Sequence, residues 1–302
     1  MSDPTLARDY IDLTRKAVDK ALDKALPPAK APPRVLHAAM RHSVFAGGKR
    51  LRPVLLLAAA EACGASKAQM RGALTLACAV ECLHTFSLVH DDLPCMDDDD
   101  LRRGVPTCHV VYGEAVALLA GDALQALAFE LTAGHPGTSR YPAAELVRVL
   151  AVAGGSRRLI GGQVLDMEAE GRRKTSLAQL RQIHLGKTAA LLEATLTLGA
   201  MAADAPARKV KALGNFGRLL GLAFQVVDDI LDVTQTSEQL GKTAGKDAEA
   251  GKATYPSVLG LNKARKEAAR LTAEALAVLR ALGRQNVVVL EALARHLLDR
   301  RS

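Results

Sequence analysis

Alanine and leucine recur along this chain at helical rather than strand spacing, and Gly/Pro clusters cut the pattern into helix-length pieces. An amphipathic stretch runs up to the breaker "LPPAKAPPR" (Leu26 to Arg34), and a second ends at "FAGGKRLRP". A third begins at about Pro53, a residue suited to a first helical turn, and "ACGAS" closes it. A long apolar segment then runs from about Met70 to His90, straight into a cluster of aspartates. Further helices are expected at about Gly113 to Ala133, Ala144 to Ile160, Gln163 to Glu170, Ser176 to Leu198 and Val210 to Val233. A long Gly/Lys-rich loop and two or three closing helices complete the chain. With no internal repeat and no obvious linker, this pattern predicts an all-α fold. It would be a single domain over residues 1–302, one large bundle of about ten or more helices.

Composition agrees. Of 302 residues, 49% are hydrophobic and only 3% aromatic, with no tryptophan, which suits helices packed through Ala and Leu. No apolar run reaches the roughly 18 residues of a spanning helix, and "MSDPTLARDYIDL" has no basic start followed by an apolar core. The expectation is a cytoplasmic protein without stable membrane insertion. Five cysteines, an odd number in one stretch, do not suit a disulfide framework and read as small buried hydrophobes; Cys78, Cys82 and His84 are a weak zinc alternative. The net charge of +8 is spread along the chain with few aromatics for stacking on bases, which argues for a small anionic substrate and against nucleic acid.

Against that basic background stand two acidic foci. In "FQVVDDILD" (Phe224 to Asp232), Asp228 and Asp232 are four apart and share a helix face, with Asp229 beside them and Gln225 one turn before Asp229. Like charges so placed among apolar neighbours call for a cation, and carboxylate oxygens are what Mg²⁺ accepts. The other focus is "DDLPCMDDDD" (Asp91 to Asp100). On a straight helix the six steps from Asp91 to Asp97 turn about 600° and rise about 9 Å, which would point the two apart. Pro94 cannot donate to the carbonyl of His90, so a bent turn there is expected to bring Asp97 back towards Asp91.

Cationic groups accompany both foci, as a polyphosphate ligand would require. "GGKRLRP" puts Lys49, Arg50 and Arg52 just before a helix N-terminus, Arg102 and Arg103 follow the first acidic run, and Lys187 and Thr188 sit in "HLGKTAALLEA". Lys242, Lys246 and Lys252 line the loop after the second acidic helix.

"GGKRLRP", "DDLPCMDDDDLRRG", "GGQVLDMEAEG", "HLGKTAALLEA", and "FQVVDDILDV" followed by "LGKTAGKD" resemble the trans-polyprenyl diphosphate synthases, in the order of that family and from about Arg34 to Leu261. Pro and Cys within the first aspartate run resemble the bacterial short-chain branch, the farnesyl diphosphate synthases. The resemblance implies a homodimeric helical fold with aspartates of two facing helices at a cavity mouth. It implies three Mg²⁺ ions (Mn²⁺ as a substitute) between Asp91 and Asp97 on one side and Asp228 on the other, bridging to an allylic diphosphate. Arg102, Lys187 and Lys242 would hold that diphosphate, and Lys49, Arg52, His84 and Arg103 an isopentenyl diphosphate. Thr188 and Gln225 would stand near the reacting carbon.

The implied reaction is ionisation of the allylic C–O bond, head-to-tail attack by the isopentenyl double bond, and loss of a proton, with no nucleophilic side chain. Phe86, one residue beyond Ser87 on the helix leading to Asp91, is expected to close the pocket. Farnesyl diphosphate would then be the product from dimethylallyl or geranyl diphosphate. Ser87 and Cys82 are small, and geranylgeranyl diphosphate is the alternative within the family. Outside it stand a class I terpene cyclase, which would not need "GGKRLRP" and Arg103, and a metal-dependent phosphohydrolase built on His90 and Asp91. That hydrolase would leave the second acidic motif without a role. A non-enzymatic partner subunit would predict the decay of one acidic focus, and both are intact. His90 reads as a packing neighbour rather than a ligand.

Overall fold

A computed structural model describes residues 4–170, 175–234, 252–283 and 287–298. The helices are α1 (Pro4–Ala25), α2 (Arg34–Phe45), α3 (Leu51–Ala62), α4 (Lys67–Asp91), α5 (Cys108–Tyr112), α6 (Glu114–Ala133) and α7 (Ala143–Gly154). After these come α8 (Leu159–Ala169), α9 (Leu177–His184), a π-helical turn (Leu185–Ala189), α10 (Ala190–Ala202) and α11 (Ala207–Thr234). The last three are α12 (Tyr255–Leu259), α13 (Leu261–Arg280) and α14 (Val288–Leu298). The only sheet among the described residues is a hairpin of β1 (Leu101–Arg102) and β2 (Val105–Pro106).

Two helices are buried along most of their length and organise the rest. Residues Pro53 to Ala60 of α3 are all buried, and α10 is buried almost throughout. Leu56, Leu57 and Ala60 of α3, with Leu191 and Leu198 of α10, face a core shared with α2, α4, α6 and α7. Val54, Leu55 and Ala58, with Leu192 and Leu196, face a second core built with α1, α11, α13 and α14. α4 begins at a capping box in which Ser66 Oγ accepts from Gln69 N–H at 3.3 Å and Gln69 Oε1 accepts from Ser66 N–H at 2.8 Å.

The expected helices are present, with three differences. Ala144 to Ile160 is broken, because α7 stops at Gly154 and α8 starts at Leu159. Ser176 to Leu198 is interrupted by the π-turn. α5 and the hairpin went unforeseen, since pieces of five and two residues carry too little periodicity to register. Contrary to the expectation from uninterrupted apolar runs, α4 and α6 are, by length and composition, apolar enough to cross a membrane. The apolar window of α4 is 67% buried within the fold, as befits a core helix, and that of α6 is 39% buried.

Candidate active site

α4 ends at Asp91, and the chain folds back under its own last turn. Asp97 N–H donates to the Asp91 carbonyl at 2.8 Å, Asp98 N–H to that of Leu93 at 3.2 Å, and Asp99 N–H to that of Asp92 at 3.2 Å. The six-residue gap between Asp91 and Asp97 is thereby closed, as Pro94 requires. Asp91 is half-buried. Burial pushes its carboxyl up to about 6, nearby Lys187 opposes this, and the neighbouring Asp97 charge adds to it. Asp92 is buried and accepts two hydrogen bonds from Arg102 Nε, at 2.7 and 2.9 Å.

Behind Asp91 lies a cavity of about 370 Å³, lined by Arg52, His84, Phe86, Ser87, Lys187 and Thr188 together with α8 residues Leu159, Gln163 and Met167. Lys187 and Thr188 belong to the π-turn, a wide turn that often marks functional sites. α8 crosses this turn closely because Gly162 meets Gly186: a Cβ on Gly162 would stand 2.3 Å from the Lys187 backbone nitrogen. The crossing lets Lys187 Nζ donate to Asp166 Oδ2 at 2.7 Å. Thr188 Oγ1 donates to Gln225 Oε1 at 2.7 Å, and Gln225 Nε2 donates to Asp229 Oδ1 at 3.0 Å.

Asp229 is thus a buried anchor that also accepts the Tyr255 N–H at 2.9 Å. Asp228, three residues after Gln225, is half-buried on the same side of α11. Asp232 is 3% exposed, and its Oδ2 has no partner among the described residues.

The basic residues part company. Arg52 Nη1 donates to His84 Nε2 at 2.9 Å. Burial takes Arg52 down to about 10, and burial together with the surrounding arginines holds His84 well below its usual value, as a neutral acceptor. Arg103 has φ of 57° at the tip of the hairpin, beside Gly104, and its guanidinium donates to the Gly47 carbonyl. It lies over Gly48, where any Cβ would stand 2.2 Å from Nη1. Lys49 is exposed on that loop. Arg50, its neighbour, is buried and turned away from the cavity. Arg102 is engaged by Asp92 rather than extended into the cavity. Lys252 Nζ reaches Asp97 Oδ1 at 2.9 Å and Glu170 at 3.7 Å. Lys242 and Lys246 lie outside the described residues.

Cys78 and Cys82 are buried free thiols, as expected, but Cys95 is exposed and Cys63 half-buried. His90 packs edge-on to Phe86, ring centroids 5.0 Å apart, with Nε2 3.0 Å from the Leu118 carbonyl. Gln163, which lines the cavity, and Asp166, which holds Lys187, were not expected to act from "GGQVLDMEAEG"; polar side chains three apart on a largely apolar helix were the available signal.

Among the described residues no three acidic, histidine or cysteine side chains close on one point. The carboxylates of the two acidic motifs nevertheless fit a hard divalent cation. Asp91 and Asp97 offer only oxygen, an ammonium is already drawn onto Asp97, and Asp232 keeps one buried oxygen unpartnered.

Residues 33–288 match the polyprenyl synthetase family. The chain is 49% identical over 285 residues, 94% of its length and 76% of the relative's, to a chloroplastic geranylgeranyl pyrophosphate synthase of Capsicum annuum. It is 48% identical to the large subunit 1 of a chloroplastic heterodimeric geranylgeranyl pyrophosphate synthase of Arabidopsis thaliana, over 96% of this chain and 77% of that one. Among solved structures it is similar to an FPP/GFPP synthase from Zymomonas mobilis, with a TM-score of 0.86, 35% identity, and coverage of 98% of this chain and 100% of the other. It is similar also to a Helicobacter pylori geranyltransferase complexed with magnesium and isoprenyl diphosphate, with a TM-score of 0.83, 36% identity, and coverage of 98% and 97%. With fold, motifs and relatives in agreement, the chain belongs to the polyprenyl synthetase family and is a prenyltransferase of isoprenoid diphosphates.

Proposed function

We propose that the protein condenses isopentenyl diphosphate head-to-tail with allylic diphosphates, beginning from dimethylallyl diphosphate, and that its product is geranylgeranyl diphosphate. The whole of residues 1–302 acts as one domain, and two copies form the working enzyme. The observation that carries the twenty-carbon product is identity close to one half with geranylgeranyl pyrophosphate synthases over nearly the full chain.

Asp91, Asp97 and Asp228 would hold Mg²⁺, three ions as the sequence resemblance has it, supplying positive charge against which a pyrophosphate can depart. The remaining work falls to the chain's own groups. Lys187, already paired with Asp166, turns an ammonium towards the same leaving group, and Lys242 is assigned there by motif. Asp92 takes the Nε and Nη2 side of Arg102, so Nη1 is left for a phosphate oxygen. Arg52, Lys49 and Arg103 bind the second diphosphate beside His84. Thr188 orients the Gln225 amide so that its carbonyl oxygen and the hydroxyl stand near the developing allylic cation. His84 accepts from Arg52 and is no base for the final proton, which leaves on the released pyrophosphate.

A specific observation favours farnesyl diphosphate as a second reading. Phe86 lines the cavity at 5% exposure and is wedged against His90, so its ring shortens the space below Asp91. Product analysis decides. After incubation with dimethylallyl and isopentenyl diphosphates and Mg²⁺, the dephosphorylated products are sized by chromatography. Mainly geranylgeraniol supports the first reading, and mainly farnesol, lengthened by Phe86→Ala, supports the second. No elongation contradicts both.

A further inference from the structure

Two arginines two residues apart, Arg50 and Arg52, point to opposite sides of the α3 start. Arg52 lines the cavity, whereas Arg50 is 5% exposed at the N-cap of α3 with φ of 49°, the left-handed region that a non-glycine residue enters at a cost. Its side chain spans two helices: Nε donates to Asp19 Oδ1 of α1 at 2.8 Å and Nη1 to Glu81 Oε1 of α4 at 3.0 Å. Glu81 is 2% exposed in the middle of α4. Such a carboxylate is tolerated only with a partner, and Arg50 is that partner.

Glu81 lies three residues before His84, on the same side of α4. The contacts Arg50–Glu81 and Arg52–His84 are therefore two adjacent rungs fastening the start of α3 to one face of α4. The charge around them is one-sided. Arg50, Arg52, Arg102 and Arg103 all bear on His84, while Glu81 is the main opposing charge for both Arg52 and Arg103. Removing it would free Arg50 from its inward position and let Lys49, just before it, and Arg52, in the first turn of α3, drift.

We propose that Glu81 is a positioning residue for the isopentenyl diphosphate pocket: acting through Arg50, it fixes the backbone that aims Lys49 and Arg52 at the second diphosphate. This rests on the prenyl-transfer reading above. A mere opposing charge would have the contrary effect, since its loss would make the pocket more positive and bind anions more tightly. The sign of the change therefore separates positioning from plain electrostatics.

The test is Glu81→Gln in the full-length protein, a near-isosteric change that removes only the charge. Expected are a KM for isopentenyl diphosphate raised about 10-fold or more, an unchanged KM for the allylic substrate and a kcat within about threefold. Calorimetry with inorganic pyrophosphate in EDTA, which reads the pocket without turnover, should show affinity weakened by a similar factor. Tighter or unchanged pyrophosphate binding, or a fall in kcat with both KM values unmoved, overturns the proposal. If Glu81→Gln does not fold, Asp19→Asn loosens Arg50 from the exposed side, where the Asp19 side chain is 40% accessible. It should raise the same KM about threefold, and no rise overturns the proposal equally. Wild-type protein that binds pyrophosphate but never elongates would instead overturn the prenyl-transfer reading and leave the pyrophosphate comparison valid.

Discussion

Asp91 carries a charge the fold does not favour. Its carboxyl is raised from the usual carboxylate value to about 6, with burial as the main cause. An acid whose folded value lies above its unfolded one costs stability as pH rises through that interval, and the cost is complete above about pH 6. Asp91→Asn should therefore stabilise the metal-free protein at pH 8 by roughly 1–3 kcal/mol and do nothing for it at pH 4, where the native carboxyl is already neutral. Thermal unfolding in EDTA at the two pH values checks this, and the same variant should lose turnover altogether. Thr188 presents the opposite case, a group that supports its neighbour. Thr188→Val removes the donor that sets the Gln225 amide, and kcat should fall by about 10-fold or more with both KM values nearly unchanged, as steady-state kinetics would show.

At the level of elements, the site depends on two departures from regular helix, and only one could be read in advance. Pro94 announces that α4 must end before it, so the return of Asp97 to Asp91 follows from a residue whose chemistry is unambiguous. The π-turn at Leu185–Ala189 gives no such sign, because its residues are ordinary helix formers apart from Gly186. It coincides with the close crossing of α8 at Gly162 and Gly186, a tertiary contact that the local sequence does not announce. Gly162→Ala should drive a methyl into the Lys187 backbone and cost roughly 1–3 kcal/mol, with activity lost out of proportion as Lys187 shifts. Circular dichroism melting and a turnover assay on one sample would reveal that combination.

The arginines teach a related lesson. Arg50, Arg52, Arg102 and Arg103 are chemically alike in the sequence, yet Arg50 is spent on Glu81, Arg102 on Asp92, and only Arg52 lines the cavity. Backbone direction at a loop decides this, and residue type does not encode it.

For the whole molecule, the all-α architecture was legible because Ala/Leu periodicity and Gly/Pro breaks extend over hundreds of residues. What covers the outside was not. α6 leaves Leu118 at 46% and Leu119 at 56% exposure, and Val110 and Val111 of α5 are about half exposed. A second copy packed on that face would bury them, as the proposed dimer requires. Light scattering should give twice the mass of one chain for the wild type, and Leu119→Asp should shift it towards the monomer. The basic balance of +8 belongs to the same scale and would favour the approach of the anionic substrates proposed above.

The proposed reaction joins isoprenoid diphosphates by metal-assisted ionisation at the two acidic motifs. The most direct measurement is incorporation of labelled isopentenyl diphosphate into longer, acid-labile allylic products, by wild type, Asp91→Ala and Asp228→Ala, with Mg²⁺ and after its removal by EDTA. Expected are incorporation by the wild type with Mg²⁺ alone, restored when Mg²⁺ is added back, and a loss of about 10³-fold or more in either variant. Wild-type incorporation that persists in EDTA, or variants that keep turnover within a few-fold of wild type, would contradict it.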